Sequence, residues 1–130
     1  MPILISPRPE YELVIVHYAG RVTMEESLDS FRSFIEDADP LPQRILIDLR
    51  DVQNFDLQLW KLPGMVRSKM RLIKDGMPVM ETAIIARNPL LRFGTMAYKK
   101  LAEGFGKQTV HLFDNREDAL AALGLPADLQ

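Results

Sequence analysis

The sequence predicts an α/β domain: a mixed, mostly parallel five-stranded sheet with about four helices. Three observations carry this. Short apolar, β-branched runs alternate along the chain with amphipathic segments of helical period. The helical segments open on capping residues and close at Gly or Pro. The first two strand-like runs have no helix between them and so pair antiparallel at one side, whereas the later ones are separated by helices and run parallel.

The elements follow in the order β-β-α-β-α-β-α-β-α. Ile3 to Ile5 reads as a short edge strand ended by Pro7 and Pro9, and Tyr11 to Tyr18 as a β-branched strand. Ala19-Gly20-Arg21 is then a turn. Thr23 and Glu26 form a capping box for a helix running to about Asp37, with Leu28, Phe31, Phe34 and Ile35 on one stripe and Pro40 and Pro42 as breakers. A buried strand spans Ile45–Leu49, and its apolar run stops at Asp48, where a polar turn is expected. The next helix starts near Leu62, with Pro63 in its first turn and Leu62, Met65, Val66, Met70 and Ile73 as its inner stripe. Leu57, Leu59 and Trp60 fall on the connector or an irregular first turn before it. Val79–Ala86 is a strand, and Asn88 caps a helix that has Pro89 at its first position and ends near Gly104 and Gly106. Thr109–Phe113 is the last strand. Asp114-Asn115-Arg116-Glu117 reads as a second capping box, for a helix ending at Gly124.

The 130 residues suit one domain with a single core, and their 47% apolar and 26% charged content is that of a globular chain. The absence of cysteine excludes disulfides, thiolate catalysis and Cys-ligated metals, and it fits a reducing compartment. Two histidines add little material for a transition-metal site, so neither metal nor cofactor is expected. The start, MPILISPRPE, lacks the basic segment of a signal peptide, and no apolar run approaches the ~20 residues that span a bilayer. No stable membrane insertion is expected.

Net charge is −2 but unevenly distributed. Residues 57–107 hold ten Lys/Arg against three acids, or +7, and the remainder holds six against fifteen, or −9. The preferred reading is that basic and acidic faces meet within the fold or between subunits. No aromatic residues interleave with the basic ones, so nucleic acid is not the expected partner. Arg67, Lys69, Arg71 and Lys74 are expected on the basic outer face of the second helix.

Several side chains are candidates for a ligand site at the carboxyl edge of the sheet, where open α/β sheets bind. Asp48, Asp51 and Asp56 are acidic enough for Mg²⁺, against the plainer reading that Asp48 binds loop backbone and Asp56 caps a helix. Arg87, Asn88 and Arg92, at a strand end and helix start, suit an anion; the plainer reading is capping by Asn88 with the arginines paired to acids. His17 and His111 lie in strands, with no nucleophile-elbow serine to serve, and read as packed or partly exposed sheet residues. Trp60, with Leu57, Leu59, Leu62, Met65 and Met70, is core, subunit contact or lid over an apolar ligand.

Gly20-Arg21-Val22-Thr23, the stretch Ile47-Asp48-Leu49-Arg50-Asp51-Val52, the Val79–Ala86 strand and the ending Val110-His111-Leu112-Phe113-Asp114 with Glu117, Ala119 and Leu123 together resemble the SpoIIAA-like group of small bacterial STAS/SEC14-like proteins. The resemblance covers nearly the whole chain as a single domain, and it implies a STAS-like fold in a bacterial cytoplasmic setting. In anti-sigma factor antagonists of this kind, a Ser or Thr after the Asp-Leu turn is phosphorylated and switches partner binding. Here the corresponding residues, Asn54-Phe55-Asp56-Leu57-Gln58-Leu59, contain no hydroxyl. The expectation is therefore a non-enzymatic binding or regulatory module, a homodimer, with Asp48, Arg50, Trp60, Arg87, Asn88 and Arg92 as candidate ligand-binding residues. The alternative is a carrier or sensor of a small amphipathic or anionic ligand, lipid-like or an organic acid.

Overall fold

A computed structural model describes residues 2–38 and 41–129. The strands are β1 (Ile3–Arg8), β2 (Leu13–Thr23), β3 (Arg44–Asp56), β4 (Met80–Ile85) and β5 (Gln108–Phe113). The helices are α1 (Met24–Asp37), α2 (Leu62–Leu72), α3 (Pro89–Glu103) and α4 (Arg116–Ala122), with single 3₁₀ turns at Pro9–Tyr11 and Leu59–Lys61. The five strands lie side by side in chain order. β1 is antiparallel to β2, and the other three pairings are parallel.

This order dictates where the helices go. Parallel crossovers are nearly always right-handed, and three of them stepping the same way across a sheet put their helices on one face. α1, α2 and α3 therefore share a core with Val14, Val16, Tyr18, Ile45, Ile84 and Val110. The opposite face, with Leu13, Ile15, Leu46, Ala83 and Ile85, is covered by Ala119 and Leu120 of α4 together with Leu123 and Leu125. The expected helices on both faces are present, divided three to one.

The capping predictions hold at two helices and shift at a third. Thr23 and Glu26 form the reciprocal box (Glu26 N to Thr23 Oγ1, 3.1 Å; Thr23 N to Glu26 Oε1, 2.9 Å). Asn88 Oδ1 accepts from Leu90 N at 2.8 Å at the head of α3. At α4 the cap is Asn115, not Asp114, and it accepts from Asp118 N at 2.8 Å. Asn115 has the extended backbone that an N-cap requires, so the helix begins one residue later than the acid pattern implies. Pro42 is buried beyond α1, and Pro40 lies outside the described residues.

The turns expected at Ala19–Arg21 and after Asp48 are both absent. β2 and β3 instead continue as a long parallel pair from Leu13↔Arg44 to Thr23↔Asp56. Two irregularities accommodate the mismatch. His17 to Ala19 spans two steps on β2 against three from Asp48 to Asp51 on β3, and Gly20 to Arg21 spans one against two from Val52 to Asn54. Each inserts one extra residue into β3, bending the strand while keeping its ladder. Gly20 has φ +69°, which a glycine adopts without strain. β1 also runs on through Pro7 to Arg8, because an edge strand can lose a donor on its solvent side.

Leu120 of α4 is fully buried on the face opposite α1, α2 and α3, whereas Leu90 is 59% exposed on α3. Leu120→Ala is expected to cost about 3 kcal/mol in urea unfolding, and Leu90→Ala less than about 0.5 kcal/mol.

Candidate functional site

The carboxyl edge of the sheet holds the predicted polar residues, but they engage one another. Asp48 is buried and accepts from Arg50 three times: from its backbone N at 3.0 Å, Nε at 3.0 Å and Nη2 at 2.8 Å. The bulge after Asp48 lets a residue two positions on fold back as a bidentate partner. Burial alone works to raise the Asp48 pKa, but the Arg50 hydrogen bonds and charge outweigh it and hold the carboxyl below its ordinary range. His17 Nε2 lies 2.7 Å from Asp51 Oδ2. Among the described residues no three His or acidic side chains group as a metal site, and Asp56 does not cap α2, whose start has no side-chain cap.

Arg87, Asn88 and Arg92 do come together at the end of β4. Asn88 is spent on the α3 cap. Arg87 Nε donates to the Asp114 carbonyl at 3.0 Å. Arg92 Nη1 donates to the Ala86 carbonyl at 2.8 Å and to the Asp114 carboxylate. The two guanidiniums thus tie the β4–α3 junction to the β5–α4 junction. Trp60 is 77% exposed on the 3₁₀ turn ahead of α2.

Alternation along β3 separates these groups. Leu46 faces α4, and Ile47 and Leu49 line a cavity under α2 and α3. Asp48, between them, points to the α4 side. The salt-bridged Asp48–Arg50 pair and the apolar cavity therefore occupy opposite faces of one strand.

That cavity, of about 80 Å³, is lined by Tyr18, Ile47, Leu49, Phe55, Leu57 and Leu91, among others. Lys69 also lines it, which corrects the sequence expectation. Lys69 is 5% exposed and belongs to the inner stripe of α2 with Leu62, Val66 and Met70, not to a basic outer face. Its Nζ donates to Ser27 Oγ at 3.1 Å, and that hydroxyl is 2.8 Å from Tyr18 Oη. The ammonium also lies 5.5 Å from the Phe31 ring centre and 5.0 Å from that of Tyr98. Among the described residues no carboxylate pairs with it. Tyr98 Oη donates to Gln108 Oε1 at 3.0 Å, and Gln108 Nε2 donates to Thr82 Oγ1 at 2.6 Å, which extends the buried polar chain into the sheet. Burial lowers the Lys69 pKa to about 8, and burial raises those of Tyr18 and Tyr98. The sequence signal for Lys69 was its spacing: positions 62, 66, 69, 70 and 73 make one helical stripe, and its charge alone argued against reading it inward.

Neither a family model nor a curated protein matches the chain. Solved structures do. An uncharacterised Shewanella loihica protein of the DUF3478 family with a SpoIIAA-like fold matches at TM-score 0.55 and 21% identity, over 93% of this chain and 91% of that one. The Bacillus cell fate determinant SpoIIAA in its phosphorylated form matches at TM-score 0.55 and 15% identity, over 93% and 98%. An anti-sigma factor antagonist from Mycobacterium paratuberculosis matches at TM-score 0.58 and 18% identity, over 94% and 92%.

Two predictions follow from the charged groups. Lys69 has a folded pKa below its unfolded 10.5, so the native state binds fewer protons between the two values. The cost of burying its charge is present below pH ~8 and is relieved as pH rises toward 10.5. Native stability from urea titration should therefore rise by about 2 kcal/mol between about pH 7 and pH 9.5 relative to Lys69→Met, which lacks the titrating amine. Arg50→Ala removes the guanidinium, leaves Asp48 a buried carboxylate held by the backbone N–H of residue 50 without its counter-charge, and should cost about 2–3 kcal/mol at neutral pH. That penalty shrinks as pH falls through the range where Asp48 protonates, as a urea series at neutral and acidic pH would show.

The structural likeness, at TM-scores of 0.55–0.58 over more than nine-tenths of each chain, shows that this chain has the SpoIIAA-like, STAS-type fold.

Proposed function

We propose that this chain is a non-catalytic STAS-like regulatory module that works by contact at the carboxyl edge of its sheet, in a bacterial cytoplasm. One observation carries the reading. Charged groups of that edge are paired, Asp48 with Arg50 and Arg92 with Asp114, while large apolar side chains beside it stand in solvent: Leu59 and Trp60 on the 3₁₀ turn, and Leu90 and Phe93 (59% exposed) on α3. The two apolar segments are joined where Leu57 meets α3. A Cβ on Gly94 would come within 2.8 Å of Leu57 Cδ2, so the glycine is what lets the turn lie close to the helix. Exposed aromatic groups on a fixed scaffold are the usual anchors of protein contacts.

Similar structures include anti-sigma factor antagonists, one of them phosphorylated, which supports a regulatory role. The stretch Asn54–Leu59 offers no hydroxyl, so control here does not run through a phosphate at that position. The contact face takes a second copy of the chain. Exposed Arg67 and Arg71 on α2 and exposed Glu25, Asp29 and Glu36 on α1 supply complementary charge for such a pairing. A second reading, a carrier or sensor of a small amphipathic ligand, is favoured by the apolar cavity that contains Lys69.

Trp60 is the only tryptophan, so its fluorescence reports on the contact directly. Raising the protein from about 1 to 100 µM should shift its emission to the blue in step with dimer formation by sedimentation, and Phe93→Ala should move both transitions to higher concentration. A monomer throughout, with unchanged emission, contradicts the contact reading.

A further inference from the structure

The strongest unassigned feature is a cation inside an apolar compartment. Lys69 reaches from α2 to the centre of the three-helix layer. The groups facing its Nζ are Ser27 and Phe31 from α1, Tyr18 from β2 beyond Ser27, and Tyr98 from α3. One hydroxyl in direct contact, that of Ser27, and two ring faces solvate an ammonium only in part. A buried charge is ordinarily paired, because desolvation costs several kcal/mol per ion. Of the three N–H donors on Nζ, Ser27 Oγ takes one among the described residues. Beside them lies the cavity, whose remaining walls are almost wholly apolar: Ile47, Leu49, Phe55, Leu57, Ile84 and Leu91.

We propose that this cavity binds a short monocarboxylic acid, with its carboxylate on Lys69 Nζ and its hydrocarbon part against Leu49, Leu57 and Leu91. The inference rests on the carrier-or-sensor reading and names the ligand class for it. It also moves the anion-binding group from Arg87 and Arg92, which are held by Asp114, to Lys69. An anion supplies the missing counter-charge, and a carboxylate offers two oxygens to the remaining ammonium donors. The volume sets the size: about 80 Å³ admits roughly three to five heavy atoms, since a cavity of about 150 Å³ holds benzene. Leu57, half-buried, lines the cavity and lies against Gly94.

The test uses the whole chain and three probes, sodium propionate, propionamide and n-propanol, followed by calorimetry and thermal unfolding. Propionate should bind wild-type protein and raise its melting temperature. Lys69→Met should weaken propionate binding at least about tenfold, because the amine is gone while the hydrophobic bulk stays. Propionamide and n-propanol should bind at least about tenfold more weakly than propionate to the wild type. If Lys69→Met fails to fold, methyl nuclear Overhauser contacts from propionate to Leu49, Leu57 and Leu91 in the wild type decide the matter. Equal binding of propionate and the neutral probes overturns the anion assignment but leaves the carrier reading standing. No binding of any probe overturns both.

Discussion

The hand of the parallel crossovers is the constraint from which the rest of this molecule follows. From β2 onward the strands are laid down in chain order, and β3, β4 and β5, each reached by a right-handed crossover, leave α1, α2 and α3 no choice but one face of the sheet. α2 is then the middle helix of three. Its inner stripe must be compatible with two neighbouring helices and with the sheet below. Lys69 sits on that stripe, which is why its amine meets α1 at Ser27 and α3 at the Tyr98 ring. The other face is left to short α4 and the residues just after it, and β3 and β4 depend there on Leu120, Leu123 and Leu125 to keep water away.

The second consequence is a division of labour across β3. The strand carries apolar side chains toward the helices and the Asp48–Arg50 pair toward α4. The two bulges bend this strand without breaking its ladder to β2. What reads in the sequence as one site, an acid beside an apolar turn, is in space two environments separated by the thickness of a sheet. One is polar and internally satisfied. The other is apolar, with a single ammonium.

Much of the fold was legible in the sequence because its signals are local. The Thr23–Glu26 box, Asn88 before Pro89 and the alternation of strand and helix each depend on neighbours a few residues apart. The antiparallel pairing of the first two strands followed from the missing helix between them. The continuation of β2 and β3 past Gly20 and Asp48 was not legible, because polar residues there are stabilised by a cross-strand ladder that no local pattern reports. The orientation of Lys69 was hidden for a related reason. Charge normally marks the solvated face, and only the tertiary contacts of Ser27, Phe31 and Tyr98 show why this one turns inward. Trp60 and Phe93 went the opposite way, large aromatics left in solvent.

The claim on which this account turns is that the Lys69 amine is enclosed at the junction of α1, α2 and α3 without a carboxylate partner. A carbon-13 NMR titration of the lysine Cε signals in the unliganded protein tests it directly. One lysine, assigned to position 69 by its loss in Lys69→Arg, should titrate near pH 8, well below the ordinary lysine value of 10.5. A Lys69 signal that titrates at that ordinary value would contradict the buried placement, and with it the ligand site built around that amine.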